Sequence, residues 1–376
     1  MIKVLNVLTD TNIGGAGRLL VHYLRNFDRS RFEVYVCLPK GSLLAPEVEA
    51  VGYSVIETEY GRDKTFEAAA VRELCRIIKE IKPHIVHSHA SLSARIAACL
   101  CGIKSRMYTR HCAYDLPPSA TSFPKKQITG AVNNCLSTAI IAVADAAAKN
   151  LTDTGVDPKK ITVIQNGVEQ LPTISDEEKT ALKKSLGINE GDTVLIINAR
   201  LTAVKGHSYL FHAFAGVCSA HPGTKLIVLG TGEEEKELKL LASSLGIADK
   251  VVFTGFVNDV APYINISDIN VNFSWGTETS SLAISEAMTL GVPTVASDFG
   301  GNPGMVTDGV NGLLVPNKNV AALEKTLTAL ISDPARIAEL GEGARRTYGE
   351  RFTSAAMTRK LEAVYEKEYE LRYKQK

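Results

Sequence analysis

No stretch of the chain approaches the roughly 18 uninterrupted apolar residues of a membrane-spanning helix, so any membrane contact would be peripheral. No two aspartates are separated by a single residue, which removes the D-x-D cation site and its manganese chemistry. The seven cysteines include no C-x-x-C pair, and Cys99 and Cys101 are too close together for a usual zinc pair. They read as reduced, mostly buried thiols of a cytosolic protein. The opening MIKVLNVLTDT lacks a basic region followed by a long apolar run, and reads as a first strand with no signal peptide. Gly14, Gly15 and Gly17 miss the G-x-G-x-x-G spacing, so a dinucleotide fingerprint is missing as well. A cytoplasmic protein, at most touching the inner face of the cell membrane, is expected.

At 376 residues the chain is long enough for two cores, and a 45% hydrophobic, 22% charged composition is that of a globular enzyme. The net charge of +1 gives no sign of nucleic-acid binding, yet it is unevenly divided. Residues 1–169 hold 21 Lys and Arg against 16 Asp and Glu, and the remainder 21 against 25. The basic first half fits an anionic membrane or acceptor.

Short β-rich runs alternate with amphipathic helical patterns, which predicts parallel sheets covered by helices on both faces. Strands are expected near residues 3–8, 33–38, 53–57, 84–87, 106–109, 139–143 and 162–164, and, after a restart, at 194–198, 225–229, 251–254, 269–272, 293–296 and 312–315. The best helix is 68–81, where Leu74, Ile77, Ile78 and Ile81 repeat at helical spacing and Pro83 follows. The fold class is thus α/β, with two doubly wound, Rossmann-like domains facing a central cleft. Residues 1–170 are expected to form the first domain and 171–355 the second, with a helix at about 356–376 returning to the first. Open sheets of this kind bind ligands at loops following strand ends, such as those near His111, Arg200, Gly230, Gly255 and Trp275.

The most informative segment is SWGTETSSLAISEAMTLGVPTVASDFGG, residues 274–301. It sets Glu278 in a loop and Glu286 two turns into the next helix, so that both carboxylates can face one ligand. Each ionised carboxylate can accept from two neighbouring hydroxyls, which suits Glu286 to a ribose diol and Glu278 to a transferred sugar. The amides of Thr279, Ser280, Ser281 and Leu282 are expected to form a helix start suited to a diphosphate, capped by Thr279 or Ser280. In ARLTAVKGH, residues 199–207, Arg200 and Lys205 straddle a strand-to-helix turn, where two cations would stabilise the charge on a departing nucleoside diphosphate. Gly14 and Gly15, between the first strand and a helix, permit close backbone approach. His111 follows a strand end and can hydrogen-bond a sugar hydroxyl, whereas His87 and His89 are as well read as structural. An H-x-H pair could begin a zinc site, but no third and fourth ligand stand at a recognised spacing, so no metal is expected.

These residues, in this order, resemble glycosyltransferase family 4, of GT-B fold, over nearly the whole chain. The resemblance rests on GGA near the start, IQNGV at 164–168, ARLTAVKGH, VLGTGEE at 228–234, VFTGFV at 252–257, the E-x7-E of Glu278 and Glu286, and SDFGG at 297–301. It implies that 1–170 is an acceptor-binding and 171–355 a donor-binding domain, that Gly14 and Gly15 approach the donor phosphates and that Arg200 and Lys205 clamp them. Glu286 would bind ribose, and Glu278 with the loop through Leu282 would hold the sugar and β-phosphate. His111 would touch the sugar, and Gly255, Phe256 and Val257 would line the base. It also implies retention of anomeric configuration without a metal or cofactor, a nucleotide-sugar co-substrate such as a UDP-sugar, and no named catalytic base. Two departures bear on donor identity: GGNPGMV puts Gly304 where the family often has an acid, and IIAVADAAAK replaces the usual Ser after the sixth strand.

The expected function is therefore hexosyl transfer to a glycan, glycolipid or lipid-linked acceptor in envelope polysaccharide biosynthesis. Lys125 and Lys126, beside Phe123 and Pro124, are candidates to meet such an acceptor. Alternatives are transfer to a small soluble acceptor, a nucleotide-sugar epimerase on a similar fold, or a non-catalytic sugar-nucleotide-binding partner.

Overall fold

The computed structural model describes residues 1–114 and 116–374. The chain divides into two compact units, one of Met1–Val168 together with the segment from Ser354 onward, the other of Glu169–Thr353.

The first unit holds seven strands: β1 (Ile2–Leu8), β2 (Phe32–Pro39), β3 (Val55–Thr58), β4 (Ile85–His89), β5 (Ser105–Arg110), β6 (Ala139–Ala142) and β7 (Ile161–Val163). Every neighbouring pair is parallel, in the order β3-β2-β1-β4-β5-β6-β7. Buried runs such as Val4, Leu5, Val7 and Leu8 explain why β1 sits inside: a strand covered on both faces needs apolar side chains on both. The predicted 68–81 helix is present as Ala68–Ile81, and it buries Val71, Leu74, Ile77 and Ile78 against the sheet.

The Ser354–Tyr369 helix completes this unit's core, placing Met357, Leu361 and Tyr365 among Tyr23, Leu24, Phe27 and Phe32. The Tyr365 and Phe27 rings stack with centroids 6.0 Å apart. A π-helical turn, Glu370–Lys374, follows, and residues 375 and 376 of the expected 356–376 helix lie outside the described residues.

The second unit holds β8 (Thr193–Asn198), β9 (Thr224–Leu229), β10 (Val251–Gly255), β11 (Ile269–Asn272), β12 (Thr294–Ser297) and β13 (Gly312–Val315), all parallel in the order β10-β9-β8-β11-β12-β13. Both sheets are doubly wound, as expected. The winding reverses between β1 and β4 in one unit and between β8 and β11 in the other, and such reversal points open a crevice beyond the carboxyl ends of the strands.

Two expectations are corrected. The thiols are not mostly buried: Cys37 is buried, Cys99 and Cys135 are exposed, and the other four are half-buried. Cys99 sits in the last turn of the Leu92–Leu100 helix and Cys135 on the outer face of the Lys125–Leu136 helix, and neither position packs inward. The helix after β11 starts at Leu282, later than expected, with Ser281 as its cap, so Glu286 stands one turn inside it and not two.

Candidate functional site

In the second unit, polar side chains gather where β8 and β11 end. Asn198 is the last residue of β8 and Asn272 the last of β11. Glu278 follows in the loop, only 8% exposed, and its Oε2 accepts from Lys205 Nζ at 3.0 Å, Ser274 Oγ at 2.8 Å and Asn272 Nδ2 at 3.3 Å. Its Oε1 accepts from the Thr279 amide at 3.2 Å. Burial, the largest single effect, raises this carboxyl's pKa, but the Lys205 ammonium and the bonds from Lys205, Ser274 and Thr279 together outweigh it, and the net shift is downward. Glu278 is therefore an ionised carboxylate at neutral pH. Glu286 is 6% exposed and accepts from Asn198 Nδ2 at 3.2 Å, so each of the two acids is tied to the asparagine ending one central strand.

The backbone around this pair is fixed by glycines. Gly206, with φ of 76°, caps the His207–Ala220 helix, and a Cβ there would meet the Phe273 carbonyl at 2.0 Å. That close approach holds the Lys205 turn against the exit of β11. The Trp275 amide donates to the Val204 carbonyl at 2.9 Å and its Nε1 to the Ala203 carbonyl at 2.7 Å, pinning the same turn. On the other side, a Cβ at Gly301 would lie 1.6 Å from the Thr279 carbonyl oxygen, and the Gly301 amide donates to the Glu278 carbonyl at 3.2 Å. SDFGG is thus the wall that sets the Glu278 loop. Asn302 Nδ2, from the same turn, reaches Ser297 Oγ at 3.1 Å and the Ser297 carbonyl at 3.2 Å.

Of the amides expected to meet a diphosphate, Thr279's goes to Glu278 and Ser281's to the Met305 sulfur at 3.1 Å. The Ser281 side chain accepts from the Ile284 amide at 3.4 Å, which corrects the expected Thr279 or Ser280 cap. Leu282 alone among the four belongs to the helix. Arg200, just past β8, is exposed and makes no ion pair among the described residues, so the structure brings Lys205, Glu278 and Asn272 together without it. Gly230, with φ of 128°, lies against the Ala199 carbonyl, where a Cβ would come to 2.2 Å, and its amide donates to the Gly255 carbonyl at 2.9 Å. Beyond Gly255, Phe256 is 55% exposed, while Val257 packs against an internal cluster with Ile188, Leu229 and Val260.

In the first unit, Gly14 caps the Gly15–Asn26 helix without any side-chain cap bond. A Cβ at Gly15 would meet nothing within 4 Å, and one at Gly14 only Asp10 Oδ2 at 3.9 Å. Neither glycine is required by local packing. Asp10, beneath this turn, has its pKa raised by burial and then by Asp63.

His111 Nε2 lies 3.0 Å from His89 Nδ1, and His89 Nε2 lies 3.3 Å from Asn6 Oδ1. With Asn6 Oδ1 accepting from His89 Nε2–H, His89 Nδ1 accepts from His111 Nε2–H, which sets the tautomers of both rings. Burial, then the Arg110 guanidinium, lowers the His111 pKa to about 4, and the ring is neutral at physiological pH. His87 is structural, bound at 2.6 Å to Tyr365 Oη and at 2.6 Å to Thr109 Oγ1. Among the described residues, no three His, Cys, Asp or Glu side chains gather as a metal-binding set.

Sequence reasoning missed Asn198, Asn272, Ser274 and the His89–His111 contact. Polar residues closing otherwise apolar strands, as in TVLIIN and INVN, were the available signal.

The family model described as glycosyl transferases group 1 matches residues 178–347, and that of glycosyltransferase family 4 matches residues 13–170. EpsD of Bacillus subtilis strain 168, named as a glycosyltransferase, is 28% identical over 308 residues, 79% of this chain and 80% of its own. The N-acetyl-alpha-D-glucosaminyl L-malate synthase of Bacillus anthracis is 26% identical over 288 residues, 68% of this chain and 73% of its own. Among solved structures, Anabaena HepE in complex with UDP and glucose has the same fold, with a TM-score of 0.84 and 22% identity over 98% of this chain and 100% of that one.

Proposed function

This chain belongs to glycosyltransferase family 4, with a GT-B fold, and from that premise we propose that it moves a hexose-type sugar from a nucleoside-diphosphate donor, with retention and without a metal. The observation that carries this reading is the pair of buried carboxylates where the second sheet reverses its winding, Glu278 paired with Lys205 and Glu286 accepting from Asn198. An ionised carboxylate can accept from the vicinal hydroxyls of a ribose or hexose. We assign Glu286 to the ribose, Glu278 to the transferred sugar, Lys205 and Arg200 to the diphosphate, and Gly255, Phe256 and Val257 to the base. In the first unit, Gly14 and Gly15 are assigned to donor phosphates and His111 to a sugar hydroxyl, to which a neutral ring can donate or accept.

In the reaction, the bond from the anomeric carbon to the β-phosphate oxygen breaks, and a bond to the acceptor oxygen forms on the same face. The acceptor proton passes to the leaving phosphate. Lys205 meets the charge that grows on that phosphate, and this lowers the barrier because the charge is larger in the transition state than in the bound donor. Binding a donor requires Lys205 to share itself between Glu278 and phosphate, so Glu278 also serves to hold the ammonium in place beforehand. UDP is the first nucleotide to test, since HepE was crystallised with it.

We assign the acceptor to a glycan, glycolipid or lipid-linked hydroxyl, in keeping with the basic first half of the chain. The Bacillus anthracis relative, named for a malate product, favours a small soluble acceptor as the second reading.

Thermal shift with UDP, GDP, ADP and UDP-glucose, in the presence of a chelator, tests the donor site. One nucleotide at 100 times its dissociation constant should add about 2.7 kcal/mol of stability, and Glu286→Ala should remove the effect. A chain that responds to no nucleotide, or equally with and without Glu286, does not bind donor in this way. An inverted product anomer by NMR would remove retention, and turnover lost in chelator would remove metal independence.

A further inference from the structure

A row of polar side chains crosses the three central strands of the first sheet. Asn6 of β1 stands opposite His87 of β4, and His89 stands opposite Thr109 of β5. Side chains two positions apart share one face of a strand, so Asn6, His87, His89 and Thr109 project together, and His111, two past Thr109, continues the row. That face is otherwise the apolar core that Val4, Leu8, Ile85 and Met107 share with the Ser354–Tyr369 helix. The rings are layered, with centroids 4.5 Å apart from His87 to His89 and 5.2 Å from His89 to His111. Tyr365 Oη and Thr109 Oγ1 pin the inner ring, His87.

Such a row is costly to bury. Asn6, His87 and His89 are all buried, and Asn6 Nδ2 has no partner among the described residues. Apolar side chains of the same shape would hold this core about as well, so the row answers to something other than stability. What it does supply is a direction for protons. An amide oxygen can only accept, so Asn6 Oδ1 calls for the proton on His89 Nε2, and His89 Nδ1 then accepts from His111 Nε2–H. Burial keeps both rings neutral, so each carries a single N–H. His111 is left with Nδ1 as its acceptor nitrogen, and whatever meets that nitrogen has to donate.

We infer that Asn6 and His89 are positioning residues which, acting through His111, commit the sugar subsite to a hydroxyl that donates, so that a donor sugar with fluorine in its place is rejected. This rests on the assignment of His111 to a sugar hydroxyl, and it fixes the direction of that bond.

The test begins with nitrogen-15 NMR of the full chain, labelled at histidine and free of nucleotide, with the His111 ring assigned by its loss in His111→Gln. In the wild type the proton should sit on His111 Nε2. Asn6→Leu removes the acceptor, His89 then keeps its proton on Nδ1 facing His111, and the His111 proton should move to Nδ1. A role confined to packing would leave the tautomer unmoved. Calorimetry with UDP-glucose and its 2-, 3-, 4- and 6-deoxyfluoro analogues reads the consequence, with UDP, which lacks the sugar, as the reference. The wild type should bind one analogue about tenfold more weakly than UDP-glucose, the scale of one hydrogen bond left unmet, and Asn6→Leu should narrow that gap because Nδ1–H can face fluorine. The inference is overturned by a wild-type His111 protonated at Nδ1, which needs no variant to detect. It is equally overturned by a tautomer that ignores Asn6→Leu, or by analogues that all bind as well as UDP-glucose. Failure to bind UDP at all counts against the donor reading and not against the row, whose protons are placed without nucleotide.

Discussion

Lys205 and Glu278 are the residues on which the local electrostatics turn. Lys205 is about three-quarters buried at its side chain and Glu278 more deeply so, at 23% and 8% exposure. Removing Lys205 leaves a buried carboxylate opposed by burial and supported by Ser274, Asn272 and the Thr279 amide alone. Lys205→Ala should therefore cost about 3 kcal/mol in urea unfolding at pH 7, and adding Glu278→Gln should return part of it, because the uncompensated charge is then gone. A double-variant loss equal to the sum of the Lys205→Ala and Glu278→Gln losses would show that the pair is not coupled. In the wild type the lowered Glu278 pKa contributes stability above its unfolded value of 4.5, and that contribution is lost as pH falls through the folded value. The two residues were legible as a cation in a strand-to-helix turn and an acid in the loop after β11. Their direct contact was not, since 73 positions of sequence separate them and only the β8–β11 neighbourhood closes the gap.

At the scale of elements, the strands were legible almost throughout because buried parallel strands leave short, continuous apolar runs between turn residues. The cap of the Leu282–Thr289 helix was not. Thr279, Ser280 and Ser281 are all competent to cap, and the choice falls to Ser281 because the Gly300–Gly301 turn packs against the carbonyls of Glu278 and Thr279 and holds those residues out of the helix. Gly301→Ala should thus destabilise the chain by about 1–3 kcal/mol and weaken nucleotide binding, with backbone meeting backbone at the new methyl. Gly15→Ala is its counterpart: with nothing within 4 Å, it should leave the melting temperature unchanged while reducing transfer, if donor phosphates approach there. A large stability loss in Gly15→Ala would mean that the turn is structural. Differential scanning fluorimetry and a transfer assay on both variants separate the two cases.

Across the whole molecule, buried neutral imidazoles set the acid limit. Burial lowers the pKa of His87 to about 3, that of His111 to about 4 and that of His207 to about 4, and also depresses His89. As pH falls below 6.5 the unfolded chain takes up protons that the folded chain refuses, so stability present above 6.5 is lost progressively toward pH 4. Each such ring costs about 1.4 kcal/mol per pH unit over that interval. A melting temperature that stays flat from pH 7 to 5 would contradict this burial. The two-unit layout was legible from the restart of the strand pattern near residue 170, and the histidine stack was not, because H-S-H at a strand end gives no sign of which ring turns inward.

The return of the Ser354–Tyr369 helix has a consequence for synthesis. The unit that begins the chain takes Met357, Leu361 and Tyr365 from its far end, while the unit made of Glu169–Thr353 is contiguous. On the ribosome, the later-made unit has its full set of residues first, and the earlier-made one waits with an open seam beside Tyr23 and Phe27 until the last helix emerges.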